Sequence, residues 1–205
     1  MTIPNQHQLI IFARVPVYGT VKRRLAKDIG KQAALEFYQS TLASQLEQMS
    51  GEMWNLTIAA ASAPEAHHPM FDNFNTIPQR EGDLGYRMVS TLAHFQGTNR
   101  IIIGSDIPTI NTTHIRDAFA ALQDHDVVFG PAYDGGFWLV GCNKDFVAGQ
   151  GTASHFMKDV RWSTEHALAD TLLTVPAKCR VATVCTLADV DDGVSYQRHL
   201  RENPN

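Results

Sequence analysis

Several absences narrow the field before any motif is read. The 205-residue chain has only three cysteines, Cys142, Cys179 and Cys185, odd in number and widely spaced. A disulfide framework or a cysteine-rich zinc site needs more thiols at closer intervals, and the apolar segments around these three predict reduced core thiols. No apolar run approaches the ~20 residues that cross a bilayer. The stretch from Met1 to Gln8 is polar and lacks the apolar core of a secretory leader. Positive charge is not in excess: the formal net charge of -4 argues against general attraction to nucleic acid. Neither a Walker A loop nor the G-x-G-x-x-G dinucleotide fingerprint occurs. The nine histidines show no metal-type pairing, and His67-His68 reads as solvated. Together these features suit a cytoplasmic protein.

What is present is a core. Apolar residues make up 44% of the chain, enough for one domain spanning residues 1–205. Short apolar runs predict strands at Gln8 to Arg14, Trp54 to Ala61, Asn75 to Pro78, Ile101 to Ile103, Asp126 to Gly130, Phe137 to Cys142 and Arg180 to Val184. Amphipathic spacing predicts helices between them: one starting at Thr20, then Lys31 to Met49, Asp83 to Phe95, one capped by Thr112 or Thr113, one from Ser163 to Leu173, and a last one after Asp189 to Asp192. Pro64 to Phe74 reads as a short helix or loop, and Arg201 to Asn205 as a frayed tail. Alternating strands and helices argue an α/β fold with a mostly parallel sheet and helices on both faces. The link before Phe137 is too short for a parallel crossover, so that strand is antiparallel and the sheet is mixed.

The chemistry clusters around Ile101-Ile102-Ile103-Gly104-Ser105-Asp106-Ile107-Pro108. Three β-branched residues form a buried strand, and Pro108 stops it. Asp106 then lies just past the carboxyl end, where open α/β sheets bind ligands. A divalent metal carrying phosphates would compensate its charge, whereas a plain turn is the alternative. Arg14, Lys22, Arg23 and Arg24 surround the first strand-to-helix turn and suit phosphate oxygens, with Gly19 allowing close backbone approach. A solvated basic helix face is the alternative. Ser105 joins the phosphate-binding candidates. In Glu81-Gly82-Asp83-Leu84-Gly85, Asp83 either caps a helix or accepts from nucleoside or sugar hydroxyls. Asp134, before Gly135 and Gly136, is a second metal candidate or a hairpin residue. Trp138 and Arg161 are weaker candidates for an acceptor site. Asp189-Val190-Asp191-Asp192 reads as a cap of the final helix.

The stretches FARVPVYGTVKRRL, EGDLGYRM, IIIGSDIPTI, DVVFGPAYDGGFWLVG, RWST and DVDD together resemble the bacterial DUF2064 group of GT-A-like transferases. The resemblance runs from residue 12 to 192. It departs from the usual family pattern at Tyr18, at Arg23 and after Asp191. It implies a nucleotide-diphospho-sugar transferase fold, with the nucleotide across the carboxyl edge of the sheet and Mg²⁺ or Mn²⁺ bridging phosphates to acidic side chains. A more distant resemblance is to guanylyltransferases acting on 2-phospholactate, which share a V-P-V…K-x-R-L segment and later D-x-P and D-x-G-G motifs. The expectation is a metal-dependent glycosyltransferase in which Asp106 and Asp134 hold the metal and Arg14, Lys22 and Arg24 bind phosphate. The partners would be a nucleotide-sugar and a small-molecule acceptor. A nucleotidyltransferase releasing pyrophosphate from the same site is the first alternative. A nucleotide-binding module without turnover is the second.

Overall fold

The computed structural model describes residues 7–51 and 53–203. Seven strands, β1 (His7–Ala13), β2 (Asn55–Ala60), β3 (Asn75–Pro78), β4 (Asn99–Gly104), β5 (Val127–Pro131), β6 (Phe137–Cys142) and β7 (Val181–Thr183), form one sheet in the order β3-β2-β1-β4-β6-β5-β7. β6 is antiparallel to both of its neighbours, β4 and β5, and the other pairings are parallel. The helices are α1 (Leu25–Ile29), α2 (Lys31–Met49), α3 (Ala63–Ala66), α4 (Leu84–His94), α5 (Thr112–Ala121), α6 (Ala167–Leu173) and α7 (Gly193–Glu202). The expected mixed sheet of an α/β GT-A-like fold is therefore present.

Strand periodicity divides the core. Leu9, Ile11, Ile101 and Ile103 join Tyr38, Leu42, Ile115 and Phe119 on one face of the sheet. Ile10 and Ile102 join Met88, Leu92 and Phe156 on the other. Each buried aliphatic side chain contributes about 1.5–3 kcal/mol by leaving water. Arg100 is a charged residue in this core. It is fully buried and donates to the carbonyls of Leu92, Thr98, Asn143 and Phe146. It thereby ties the end of α4 and the start of β4 to the loop after β6.

Local chemistry moved several expected boundaries. α1 starts at Leu25 and not near Thr20, because the Thr20 hydroxyl closes a turn onto the Val17 carbonyl and Lys22 takes a left-handed φ of 44°. α6 starts at Ala167 and not at Ser163, whose φ of 61° is incompatible with a helix. Asn111, and not Thr112 or Thr113, caps α5, accepting from the Thr113 and His114 N–H groups. Only Cys142 is a buried core thiol; Cys179 is half-buried, Cys185 is exposed, and all three are free. Arg201 lies within α7 and not in a frayed tail. The remaining expectations for residues 1–6 and 204–205 fall outside the described residues. Among the described residues no helix is long and apolar enough to cross a membrane.

Candidate functional site

The chain runs from β1 outward to β2 and β3, then returns to place β4 on the other side of β1. Such a reversal opens a crevice beyond the carboxyl ends of the two strands. Tyr38 of α2 closes its floor. Its hydroxyl donates to the Arg14 carbonyl at 3.2 Å, accepts from the Arg14 N–H at 3.1 Å, and shares a hydrogen bond of 3.0 Å with the Ser105 hydroxyl. Burial pushes the phenol pKa up, so Tyr38 stays neutral and serves as a clamp. Ser105 is 7% exposed and is occupied by this clamp at the edge of the crevice.

Lys22 crosses the crevice. Its side chain is 6% exposed, with Nζ 3.2 Å from Asp106 Oδ2 and 2.7 Å from Asp191 Oδ1. Burial disfavours the ammonium, but the two carboxylates outweigh it and hold the Lys22 pKa above its ordinary value. Arg24 reaches the other Asp191 oxygen at 3.5 Å. Asp189, half-buried beside them, has a pKa pushed up to about 6 by burial and by Asp191, Asp134 and Asp106. Asp134 turns one oxygen to the Gly136 N–H at 2.8 Å, inside the β5–β6 hairpin. It lines the same cavity as Asp106, Asp189 and Asp191.

On the other side of Lys22 the charge changes sign. Arg14 and Arg87 line the crevice, and neither has a carboxylate partner among the described residues. Burial and then the charge of Arg14 depress the Arg87 pKa. Arg87 is oriented by Gln79 Oε1, while the Gln79 amide donates to the Ala59 carbonyl at 2.6 Å. Arg87, half-buried near the exposed Arg14 and without an acid among the described residues, is held at an electrostatic cost that an anion in the crevice would relieve.

The carboxylates fit a divalent ion. Asp106 and Asp191 already converge on one cationic nitrogen, so the Lys22 ammonium stands in for a cation. Two carboxylates are enough for Mg²⁺ or Mn²⁺, which keeps waters and phosphate oxygens as its other ligands. No cluster of three or more His, Cys, Asp or Glu suited to a metal occurs among the described residues.

Three expected site residues, Asp83, Gly19 and Arg161, line neither the crevice nor the cavity, and a fourth, Trp138, is mostly packed away. Asp83 is the N-cap of α4, accepting from the Tyr86 N–H at 2.8 Å. Gly19, at a φ of 74°, turns the backbone before Thr20 but does not line the crevice. Trp138 does line the cavity beside Asp106 and Asp134, but it is 3% exposed and its N–H donates to the Cys185 carbonyl, so packing holds most of the ring. The Arg161 fork is bound by both oxygens of Asp170, at 2.8 Å each, away from the cavity. Conversely, Asp189, Asp191 and Arg87 were not among the expected residues. Only Asp192 of the late acidic run caps α7, with Ser195 completing a capping box. Asp189 and Asp191 flank the buried Val190 and face the cavity. Their alternation is the signal that sequence could have offered. For Arg87 it is position: with Leu84, Met88 and Thr91 it lies on the inward stripe of α4.

The model of a family described as an uncharacterized protein conserved in bacteria (DUF2064) matches residues 41–164. No curated protein matches in sequence. Among solved structures, a protein of Desulfovibrio desulfuricans G20, provisionally named a nucleotide-diphospho-sugar transferase, is 24% identical with a TM-score of 0.82, over 98% of this chain and 88% of its own. CMP:2-keto-3-deoxy-manno-octonic acid synthetase complexed with CTP is 14% identical with a TM-score of 0.59, over 96% and 97%. Rv0371c of Mycobacterium tuberculosis H37Rv, in complex with manganese, is 15% identical with a TM-score of 0.53, over 96% and 98%. Since the family model covers more than half of its length, the chain belongs to the DUF2064 family, here in a GT-A-like nucleotidyltransferase-type fold.

Proposed function

We propose that this chain, as one domain, is a metal-dependent transferase that moves a glycosyl group from a nucleotide-diphospho-sugar to a small acceptor. The observation that carries the reading is the division of charge about Lys22. Asp106 and Asp191 meet on one side, and Arg14 and Arg87 stand on the other without acidic partners among the described residues. A diphosphate with a divalent ion is complementary to that pattern. The neighbours provisionally named as a sugar transferase or solved with manganese have the same fold, which supports it.

Asp106 and Asp191 would hold Mg²⁺ or Mn²⁺, with Asp189 and Asp134 contributing negative charge nearby. The ion would neutralise charge on the leaving diphosphate. Arg14, Arg87, Lys22 and Arg24 bind phosphate oxygens and stabilise charge as it develops. The acceptor oxygen bonds to the anomeric carbon, the bond from that carbon to phosphate oxygen breaks, and the nucleoside diphosphate leaves with the electron pair. The acceptor proton passes to Asp134, a carboxylate on that cavity without a cationic partner among the described residues.

A second reading is favoured by the number of cations at the crevice, which suits a triphosphate. The acceptor would then bond to the α-phosphorus and pyrophosphate would leave; a neighbour of the same fold was solved with CTP. Incubation with nucleoside triphosphates and with nucleotide-sugars, each with Mg²⁺ or Mn²⁺, separates the two. The first reading expects nucleoside diphosphate and a glycosylated product, or slow sugar hydrolysis. Pyrophosphate release from triphosphates without any sugar transfer would replace it with the second.

A further inference from the structure

Resting on that reading, we infer that the acceptor is a non-anionic alcohol, uncharged or cationic, with a compact apolar body. It would occupy the cavity of about 710 Å³ beside the phosphate crevice. The two spaces share Arg24, Asp106 and Asp191, so an occupant of one meets an occupant of the other. Their walls differ in kind. The cavity carries six carboxylates, Asp106, Asp134, Glu165, Asp189, Asp191 and Asp192, against two guanidiniums, Arg24 and Arg198. One divalent ion leaves that wall negative, and a phosphate or carboxylate on the acceptor would be repelled.

The base of the cavity is apolar. Phe12, Leu84, Met88, Phe137 and Trp162 line it. Phe137 and Trp162 meet edge to face with ring centroids 6.2 Å apart. Trp162 is half-buried, whereas Trp54 and Trp138 are buried. The wall behind it is held in an unusual shape. Met157, Asp159 and Ser163 have φ of 61°, 56° and 61°, three left-handed non-glycine residues within seven positions. Backbone strain of this kind gathers at ligand-binding walls. Gly85 lets α4 approach that wall: a Cβ there would stand 2.3 Å from the Met157 carbonyl oxygen and 2.8 Å from the Trp162 ring. Ser163 and Thr164 line the same side and can orient a hydroxyl.

The test uses 2-phenylethanol, tyramine and 2-phenylethyl phosphate as probes of the full chain, with Trp162 fluorescence as the readout and Trp162→Phe as the control. The alcohol and the amine should quench saturably, with Kd at least about tenfold below that of the phosphate; Coulomb repulsion from one uncompensated carboxylate a few ångströms away is of that order. The signal should be largely lost in Trp162→Phe, because Trp138, which also lines the cavity, is only 3% exposed. Glu165→Gln should improve the phosphate Kd at low ionic strength and less at high, as a carboxylate with an 80% exposed side chain is screened by salt; a merely structural role would not show that salt dependence. Equal or tighter binding of the phosphate, or no quenching by any probe, overturns the proposal. Nucleotide binding, measured separately on the same sample, reports on the transferase reading independently of either result.

Discussion

Lys22 concentrates the chemistry of the site in one side chain. Its ammonium neutralises Asp106 and Asp191 while standing where a divalent ion would sit. Removing it should therefore have opposite effects on two ligands. In Lys22→Ala, Mn²⁺ alone should bind more tightly, because its competitor is gone. A nucleoside diphosphate with Mn²⁺ should bind about 10- to 100-fold more weakly, from loss of one charge-assisted hydrogen bond of roughly 1.5–3 kcal/mol. Paired calorimetric titrations read both signs, and parallel losses would show that Lys22 only holds the carboxylates in place. Arg100 presents the contrasting case of a buried cation with no role at the crevice. Its donors satisfy four carbonyls, so Arg100→Ala, which leaves buried carbonyls unpaired, should destabilise the fold by about 1–3 kcal/mol or more. Urea unfolding measures this, and a cost below about 1 kcal/mol would contradict the assigned staple. Beside it burial pushes the Cys142 thiol up to about 12. Cys142 should therefore resist a thiol reagent in the folded protein while exposed Cys185 reacts.

Among the elements, glycines show where packing is closest. A Cβ on Gly135, whose φ is 87°, would stand 2.1 Å from the Glu165 carbonyl oxygen. Gly135→Ala should push the β5–β6 hairpin off the segment before α6 and cost about 1–3 kcal/mol. Thermal unfolding beside a matched Gly51→Ala control, where space is open but φ is also positive, separates the clash from the backbone term. Equal losses would contradict it. Elements of regular period were legible in sequence. Lys31–Met49, Asn75–Pro78 and Phe137–Cys142 occur at the expected bounds, because their apolar spacing and turn residues agree with tertiary packing. The antiparallel course of β6 followed from a link too short to cross over. What escaped was set by long-range contact. Nothing local announces the left-handed Lys22 that ends its side chain between residues 106 and 191, or the late start of α6. The Asp189-Val190-Asp191-Asp192 run reads in sequence as a single cap, yet only Asp192 has that role, and alternation turns Asp189 and Asp191 elsewhere. Arg87 reads as an ordinary helical arginine until α4 is laid against the sheet.

At the scale of the molecule, the sheet gathers acids from β4, from the β5–β6 hairpin and from the segment before α7 at one edge. Asp189 registers their mutual repulsion, with a pKa raised to about 6 by burial first and by its carboxylate neighbours next. A raised acid favours the fold while protonated, so its contribution is full below the unfolded value near 4 and is lost as pH rises through 6. In chelator, stability should therefore fall between about pH 4 and 6 by an amount that Asp189→Asn removes. Unfolding curves in that window test this, and an unchanged slope in the variant would assign the effect to other groups. The central claim is that Asp106 and Asp191 jointly hold a metal that fastens a nucleotide diphosphate against Arg14 and Arg87. Its most direct test is calorimetric titration of UDP, GDP, CDP and ADP into wild type and Asp191→Asn, each with and without Mn²⁺. The account predicts Mn²⁺-dependent binding of at least one nucleotide, weakened at least about tenfold in the variant. Binding that is equally tight without metal and in Asp191→Asn would contradict it.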